Sequence, residues 1–269
     1  MAMAAVTRKL LLHVPQCIRR LQICVIPSDM QISFVIPAHD EADYIGRTIA
    51  AIRDAAGGSP YPYEIVVACD GCTDRTAEIA ESLGARVVSH DRRQIAATRN
   101  LGARHATGDL LIFVDADTRI DRDVFTQTLE AIERGAIAGG APTNLDGPLT
   151  LYARALLVIL GTTFRLANLA GGAYIFCTRA AFEAAGGWDE TYFAGEELRL
   201  ARELERHGKF TLIRAPILSS GRKIRTHTKG ELLGLFFRGL FTPSVMKKRE
   251  KLAFFYGPRR KDPHLQNQV

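Results

Sequence analysis

The sequence has few cysteines and no pattern among them. Its five thiols are an odd number without repeated spacing, so a disulfide framework is excluded as the basis of the fold. Cys69 and Cys72 form one C-x-x-C, but no second pair exists to complete a structural zinc site. Long apolar runs are also missing. The nearest, residues 155–160 and their surroundings, is bounded by Arg154 and Arg165 and is too short to span a bilayer. Residues 1–30 do not read as a clean signal peptide, because His13 and Pro15 break the apolar run at residues 10–12 and no small-residue cleavage site follows. No internal repeat or low-complexity linker is visible. These absences predict a soluble or peripheral protein with reduced thiols, hence a cytoplasmic one.

The 269 residues suffice for one large domain, and an apolar fraction of 47% can build a core without staples. The formal charge is +6. Its basic residues gather near the two ends, with Arg8, Lys9, Arg19 and Arg20 at one and Lys247, Lys248, Arg249, Lys251, Arg259, Arg260 and Lys261 at the other. Such ends suit an anionic partner or a solvated tail.

Between residues 31 and 114, apolar runs alternate with helix-like stretches. Strands are expected at 32–36, 64–68, 85–89 and 110–114, and helices at 42–56, 73–83 and 94–106, with Thr73 as the N-cap of the second. Apolar strands alternating with helices predict an α/β fold with a mostly parallel sheet covered on both faces. Ligands of such sheets bind at the carboxyl ends of the strands, which selects the loops 37–43, 70–74, 89–93 and 115–118. Further on, helices are expected at 124–134, 149–169, 179–185, 196–207 and 231–241, and strands at 136–140, 173–177 and 210–213. The boundaries read as an extension at 1–30, a main domain at 31–225, and an apolar helix with a basic tail at 226–269.

Two loops are strongly acidic. The string LLIFVDADT carries Asp115 and Asp117 out of a buried strand. Carboxylates that close repel unless a cation lies between them, and Mg²⁺ or Mn²⁺ completed by substrate phosphates and water is the usual answer. The same string, with Thr118, also fits the D-x-D-x-T pattern of haloacid dehalogenase-like phosphotransferases, in which Asp115 would be the nucleophile. That motif usually opens its domain, whereas here three strands precede it. The string IVVACDGCTDRT places Asp70 at a strand end and Asp74 in the first turn of a helix, where helix-end electrostatics explain Asp74. In FVIPAHDEADYI, Glu41 and Asp43 likewise enter a helix. The loop SSGRKIRTHT holds Arg222, Lys223 and Arg225, which could neutralise a diphosphate, and His227, a candidate third metal ligand.

Taken in order, these strings resemble the family 2 glycosyltransferases. That family opens with an apolar strand, Pro and an acidic pair, here Pro37 and Asp40-Glu41. It continues with Asp-Gly-Ser-Thr-Asp, here Asp70-Gly71-Cys72-Thr73-Asp74, and with Ala-Arg-Asn-x-Gly, here Thr98-Arg99-Asn100-Leu101-Gly102. Its metal motif matches Asp115-Ala116-Asp117, and its Gly-Gly-Phe-Asp-Glu matches Gly186-Gly187-Trp188-Asp189-Glu190. Five ordered strings over residues 31–225 are far more specific than any one of them.

The resemblance implies a single GT-A type, Rossmann-like nucleotide-diphospho-sugar transferase domain. It implies a metal-dependent, inverting transfer of one sugar from a nucleotide-diphosphate sugar to an acceptor hydroxyl, with a lipid-linked or glycan acceptor. Separately, the apolar stretch at 232–241 beside the basic tail suits a peripheral contact with anionic membrane. The resemblance puts Pro37, Glu41, Asp70 and Arg99 around the nucleotide, with Asp70 on the base. It puts Asp115 on the ribose or metal and Asp117 on Mg²⁺ or Mn²⁺, while Arg222 and Arg225 of the basic loop are the expected partners of the diphosphate. The acceptor base of the family is the aspartate of a Glu-Asp pair. Here that pair is Glu196-Glu197, so Glu197 is the expected base and Glu196 the alternative. The Gln-x-x-Arg-Trp string of processive synthases is absent, as is the Gly-rich lysine loop of nucleotidyltransferases, and no nucleic acid is expected as a partner. A phosphotransferase using Asp115 and a non-catalytic sugar-nucleotide-binding protein are the alternatives.

Overall fold

The computed structural model describes residues 27, 29–148, 161, 171–228, 230, 243–252 and 256–257. The predicted helices at 149–169 and 231–241, most of the 1–30 extension and the far end of the basic tail lie outside the described residues.

The chain starts β1 (Ile32–Ala38), α1 (Ile45–Ala56), β2 (Tyr63–Asp70), α2 (Thr76–Ser82), β3 (Arg86–His90), α3 (Ile95–His105) and β4 (Leu110–Val114). It continues through β5 (Thr118–Arg119), α4 (Arg122–Glu133), β6 (Ala136–Gly140), β7 (Thr143–Leu145), β8 (Tyr174–Thr178) and α5 (Arg179–Ala184). Last come α6 (Glu196–His207), β9 (Lys209–Leu212), β10 (Ile217–Ser219) and α7 (Arg222–Thr226). A seven-stranded sheet runs in the order β3-β2-β1-β4-β8-β6-β9. The pairs among β3, β2, β1 and β4 are parallel, β6 pairs parallel with β9, and β8 runs antiparallel to both its neighbours. This is the expected α/β architecture with a mostly parallel central sheet.

The alternation of β1 shows why both faces are apolar. Phe34 and Ile36 enter a core shared with α1 and α4, while Val35 enters a second core shared with α3, α5 and α6. Side chains of a strand alternate between faces, so a strand with cores on both sides must be apolar throughout. Gly102 lets α3 lie close on this sheet: a Cβ there would sit 2.4 Å from Val35 Cγ1.

The starts of two helices depart from expectation by three residues. The first helix begins at Ile45 rather than residue 42, because Asp40 and Glu41 turn back to bind the neighbouring loop. The second begins at Thr76, and Thr73 does not cap it; the Thr73 N–H donates to Asp40 instead, at 2.6 Å. A three-stranded sheet, β5-β10-β7, was not expected. It joins the chain just after Asp117 to the chain just before Arg222 and so brings those residues together. Among the described residues, no helix is long and apolar enough to cross a membrane.

Candidate functional site

A cavity of about 290 Å³ opens at the carboxyl ends of β1, β2 and β4. Its wall includes Pro37, Glu41, Asp70, Arg99, Asp115, Asp117, Glu196, Glu197 and Arg222, so the structure brings together nine of the residues singled out from the sequence. Arg225 and His227 are not part of this wall. Arg225 bonds Asp146 through its backbone oxygen at 2.5 Å and its carboxylate at 3.1 Å, which ties α7 to the end of β7. His227 Nδ1 lies 2.9 Å from the Lys223 carbonyl. Lys223 lines the cavity, so it rather than Arg225 adds positive charge there.

The two motif aspartates are braced in parallel ways. Arg99, its side chain 3% exposed, reaches Asp115 at 2.8 Å and Glu196 at 2.6 Å and lies 4.4 Å above the Trp188 ring. Arg222 reaches Asp117 at 3.1 Å and Glu41 at 2.5 Å and lies 4.7 Å from the Tyr44 ring. Each guanidinium therefore joins one carboxylate of the motif to one acidic residue from another element. Burial alone would lower the pKa of both arginines, but the charges of Asp115 and Glu196 around Arg99, and of Asp117 and Glu41 around Arg222, raise it. Both stay charged, as arginine does in proteins. A planar fork suits such double pairing, and lysine would not replace it.

Asp70 is 4% exposed, and its two oxygens are engaged by the chain itself. Oδ1 accepts from the Arg92 and Arg93 N–H groups at 2.9 and 2.7 Å, and Oδ2 from the Gln94 N–H and the Thr98 hydroxyl, both at 2.7 Å. Burial would raise its pKa, but the Thr98 hydroxyl, the Gln94 and Arg93 N–H groups and His90 hold it below the ordinary carboxylate value. A carboxylate has about four acceptor positions, so these donors nearly fill it. The geometry makes Asp70 the organiser of the 92–94 turn that walls the cavity, and Asp70 itself lines that cavity. Gln94 then caps α3 and donates to the Tyr192 and Glu190 carbonyls at 2.7 and 3.0 Å.

Glu196 and Glu197 have separate surroundings at the start of α6. Glu196 is 5% exposed and held by Arg99. Glu197 is half-buried, lines the cavity and makes no salt bridge among the described residues. Burial, then the neighbouring charge of Glu196, pushes its carboxyl up to about 8. Gly172 makes room for it, since a Cβ there would meet Glu197 Cδ at 3.3 Å. The Gly172 carbonyl also accepts from Arg99 at 3.0 Å. Arg93 lies in the 89–93 loop selected from the sequence, but sequence reasoning missed Gln94, Phe193 and Tyr256 as cavity residues. Gln94 carried a usable signal, a polar side chain directly before an apolar helix; Tyr256 carried none.

The family model for glycosyl transferase family 2 matches residues 33–183. A dolichyl-phosphate beta-glucosyltransferase of Trichomonas vaginalis is 29% identical over 175 residues, covering 58% of this chain and 52% of the relative. The chain spans about half the length, or less, of the curated relatives it matches. Among solved structures, S. aureus TarS in complex with UDP-GlcNAc superposes with a TM-score of 0.58 at 16% identity, covering 84% of this chain and 69% of that one. Glucosyl-3-phosphoglycerate synthase of Mycobacterium tuberculosis, in complex with Mn²⁺, UDP and glucosyl-3-phosphoglycerate, has a TM-score of 0.54 at 19% identity and covers 86% and 82%. These two likenesses show the GT-A fold. With the family match extending from β1 into α5 and over every motif strand between, the chain belongs to glycosyl transferase family 2.

Proposed function

We propose that this chain transfers a single sugar from a nucleotide-diphosphate sugar to an acceptor, with inversion at the anomeric carbon. One observation carries the reading: Asp115 and Asp117, each braced by a buried arginine, open on the same cavity as the half-buried Glu197, which makes no salt bridge among the described residues. The fold likeness to structures holding UDP-GlcNAc, or UDP with Mn²⁺, supports it.

The residues present fit a divalent cation. Carboxylate oxygens are the ligands Mg²⁺ and Mn²⁺ prefer, and Asp117 already attracts a cationic group, the Arg222 guanidinium. Among the described residues no three potential ligand side chains converge, so Asp117 and Asp115 would share the metal with donor phosphates and water. His227 has no part in this reading. Once bound, the metal supplies charge neutralisation for the departing diphosphate.

The chain's own groups do the rest. Lys223 adds positive charge to the cavity wall, and Arg222 holds Asp117 and Glu41 in place. Arg99 fixes Asp115 and Glu196 in place. Glu197 takes the proton from the acceptor hydroxyl as that oxygen bonds the anomeric carbon. The bond to the diphosphate breaks on the opposite face, and its electron pair leaves with the phosphate oxygen. Glu196 is a poor base because its carboxylate is tied to Arg99. Replacing Glu197 with Gln should leave donor binding intact and remove transfer to hydroxyl acceptors. Loss of turnover in Glu196→Gln with retention in Glu197→Gln would reverse the assignment. Donor binding without transfer or hydrolysis by the wild-type chain would favour a binding protein.

A second reading concerns the acceptor. The Trichomonas vaginalis relative is named for dolichyl phosphate, and a phosphate oxygen is already ionised near neutral pH. Such an acceptor needs no proton removed, so Glu197→Gln would keep turnover with a polyprenyl phosphate. A lipid-linked acceptor would also bring the protein to a membrane surface, which flotation with anionic vesicles tests.

A further inference from the structure

Glu196 and Glu197 are neighbours on α6, but only Glu196 is fixed by a charged partner, Arg99. Glu197 makes no salt bridge among the described residues, so its place depends on the backbone that leads to it. That backbone is a strap, residues 188–195. It enters α6 through Gly195 at a φ of +74°, and Phe193 and Ala194 on it line the cavity.

Two amides of the α3 segment hold this strap. Asn100 Nδ2 donates to the Trp188 carbonyl and to Glu190 Oε1, both at 2.9 Å, and its Oδ1 accepts from the Trp188 N–H at 2.9 Å. The outer pair Arg92–Glu190, 2.7 Å apart, is exposed and adds little. Gln94 is buried and uses its whole side chain. Nε2 donates to the Tyr192 and Glu190 carbonyls at 2.7 and 3.0 Å, while Oε1 accepts from the Ala97 N–H at 2.5 Å and caps α3. Its backbone N–H donates to Asp70 Oδ2 at 2.7 Å. The helix cap needs only the oxygen of this side chain, and the strap needs only the nitrogen.

We propose that Gln94 is a positioning residue, whose side-chain nitrogen holds the strap at 190–192 and thereby sets the reach of Glu197 into the cavity. The proposal rests on the reading of Glu197 as the acceptor base. Asp70 fixes the Gln94 backbone, so the strap is aligned to the same turn that walls the cavity on the opposite side. Without the nitrogen, the Glu190 and Tyr192 carbonyls lose their donor, the strap loosens, and water reaches Glu197.

The test separates the nitrogen from the oxygen. Gln94→Glu keeps an oxygen to cap α3 and loses the donor to the strap, whereas Gln94→Met loses both. In the full chain without ligand, hydrogen exchange at 188–194 should quicken about tenfold in both variants, the effect of roughly one lost hydrogen bond. Exchange at 97–99 should quicken only in Gln94→Met. The ¹³C signal of the Glu197 carboxyl, assigned by its loss in Glu197→Gln, gives a readout that a mere helix cap would not move. Glu196, Arg99 and Asp115 are the charges that act on this carboxyl, and in the wild-type chain it should titrate at about 8. In both variants the midpoint should fall by about one pH unit or more as water returns. The new carboxylate of Gln94→Glu would by its own charge raise that midpoint, so a fall there reports the strap. Gln94→Met carries the test alone if Gln94→Glu does not fold. An unchanged Glu197 midpoint in the variants would overturn the proposal. A midpoint that moves in Gln94→Met but not in a folded Gln94→Glu would overturn it too, leaving Gln94 as a helix cap. A wild-type midpoint near 4.5 would instead overturn the buried-base reading of Glu197, and the proposal with it.

Discussion

Glu197 offers a prediction whose size follows from its surroundings. Burial and the adjacent Glu196 charge push its carboxyl from an ordinary 4.5 up to about 8. A base with that pKa is ionised in about one molecule in a hundred at pH 6 and in about half at pH 8. With a hydroxyl acceptor, kcat/KM should therefore climb about tenfold per pH unit below pH 7 and level off above 8. Stability should run the other way. The folded pKa is raised, so the contribution of the neutral carboxyl is complete below the unfolded value of 4.5 and is lost as pH rises through about 8. Glu197→Gln removes this term. In urea titrations without ligand, the variant should gain on the wild-type chain between pH 5 and pH 8. The relevant assays are the pH profile of initial rates and the difference in unfolding free energy at the two pH values. An unfolding difference that is the same at pH 5 and pH 8 would refute the reasoning about the Glu197 environment.

Other predictions follow from the packing. Arg99→Met leaves Asp115 and the buried Glu196 without their shared cation, and losing one partner of a buried pair costs about 3–5 kcal/mol. The expected result is a large fall in the urea midpoint, and a midpoint within error of wild type would contradict it. Arg99→Lys should recover only part of the loss, because an ammonium cannot reproduce the fork across both carboxylates. Gly102→Ala forces a methyl to within 2.4 Å of Val35 Cγ1 and should cost about 1–3 kcal/mol in the same assay.

Much of this fold is legible in the residues because its strands are buried on two faces. The run at 110–114 is apolar at every position, and the structure buries all five. The reversed direction of β8 was not legible, since residues 174–178 show the same apolar run whichever way the strand points. β5, β7 and β10 are two or three residues long, too short to carry a periodicity. The candidate site divides in the same way. Asp115, Asp117, Asp70 and Glu197 stand in local strings at strand or helix ends, where chemistry can be read from spacing. The partnerships Arg99–Glu196 and Arg222–Glu41 join residues 97 and 181 positions apart, and no local pattern encodes them. Asp70 shows the limit most clearly. Its place at a strand end was readable, but three of its four donors come from the 92–94 turn, whose path depends on β3 pairing with β2, and the fourth is the Thr98 hydroxyl on α3.

The central claim is that Asp115 and Asp117 hold a metal against the diphosphate of a sugar nucleotide. The direct measurement is a thermal-shift panel of UDP-, GDP-, CMP- and dTDP-sugars with Mn²⁺ or Mg²⁺, repeated in EDTA and with Asp117→Asn. One nucleotide class should raise the melting temperature of the wild-type chain only when metal is present, and the shift should vanish in EDTA and in the variant. A sugar-nucleotide shift of equal size in EDTA, or in Asp117→Asn, would contradict the claim.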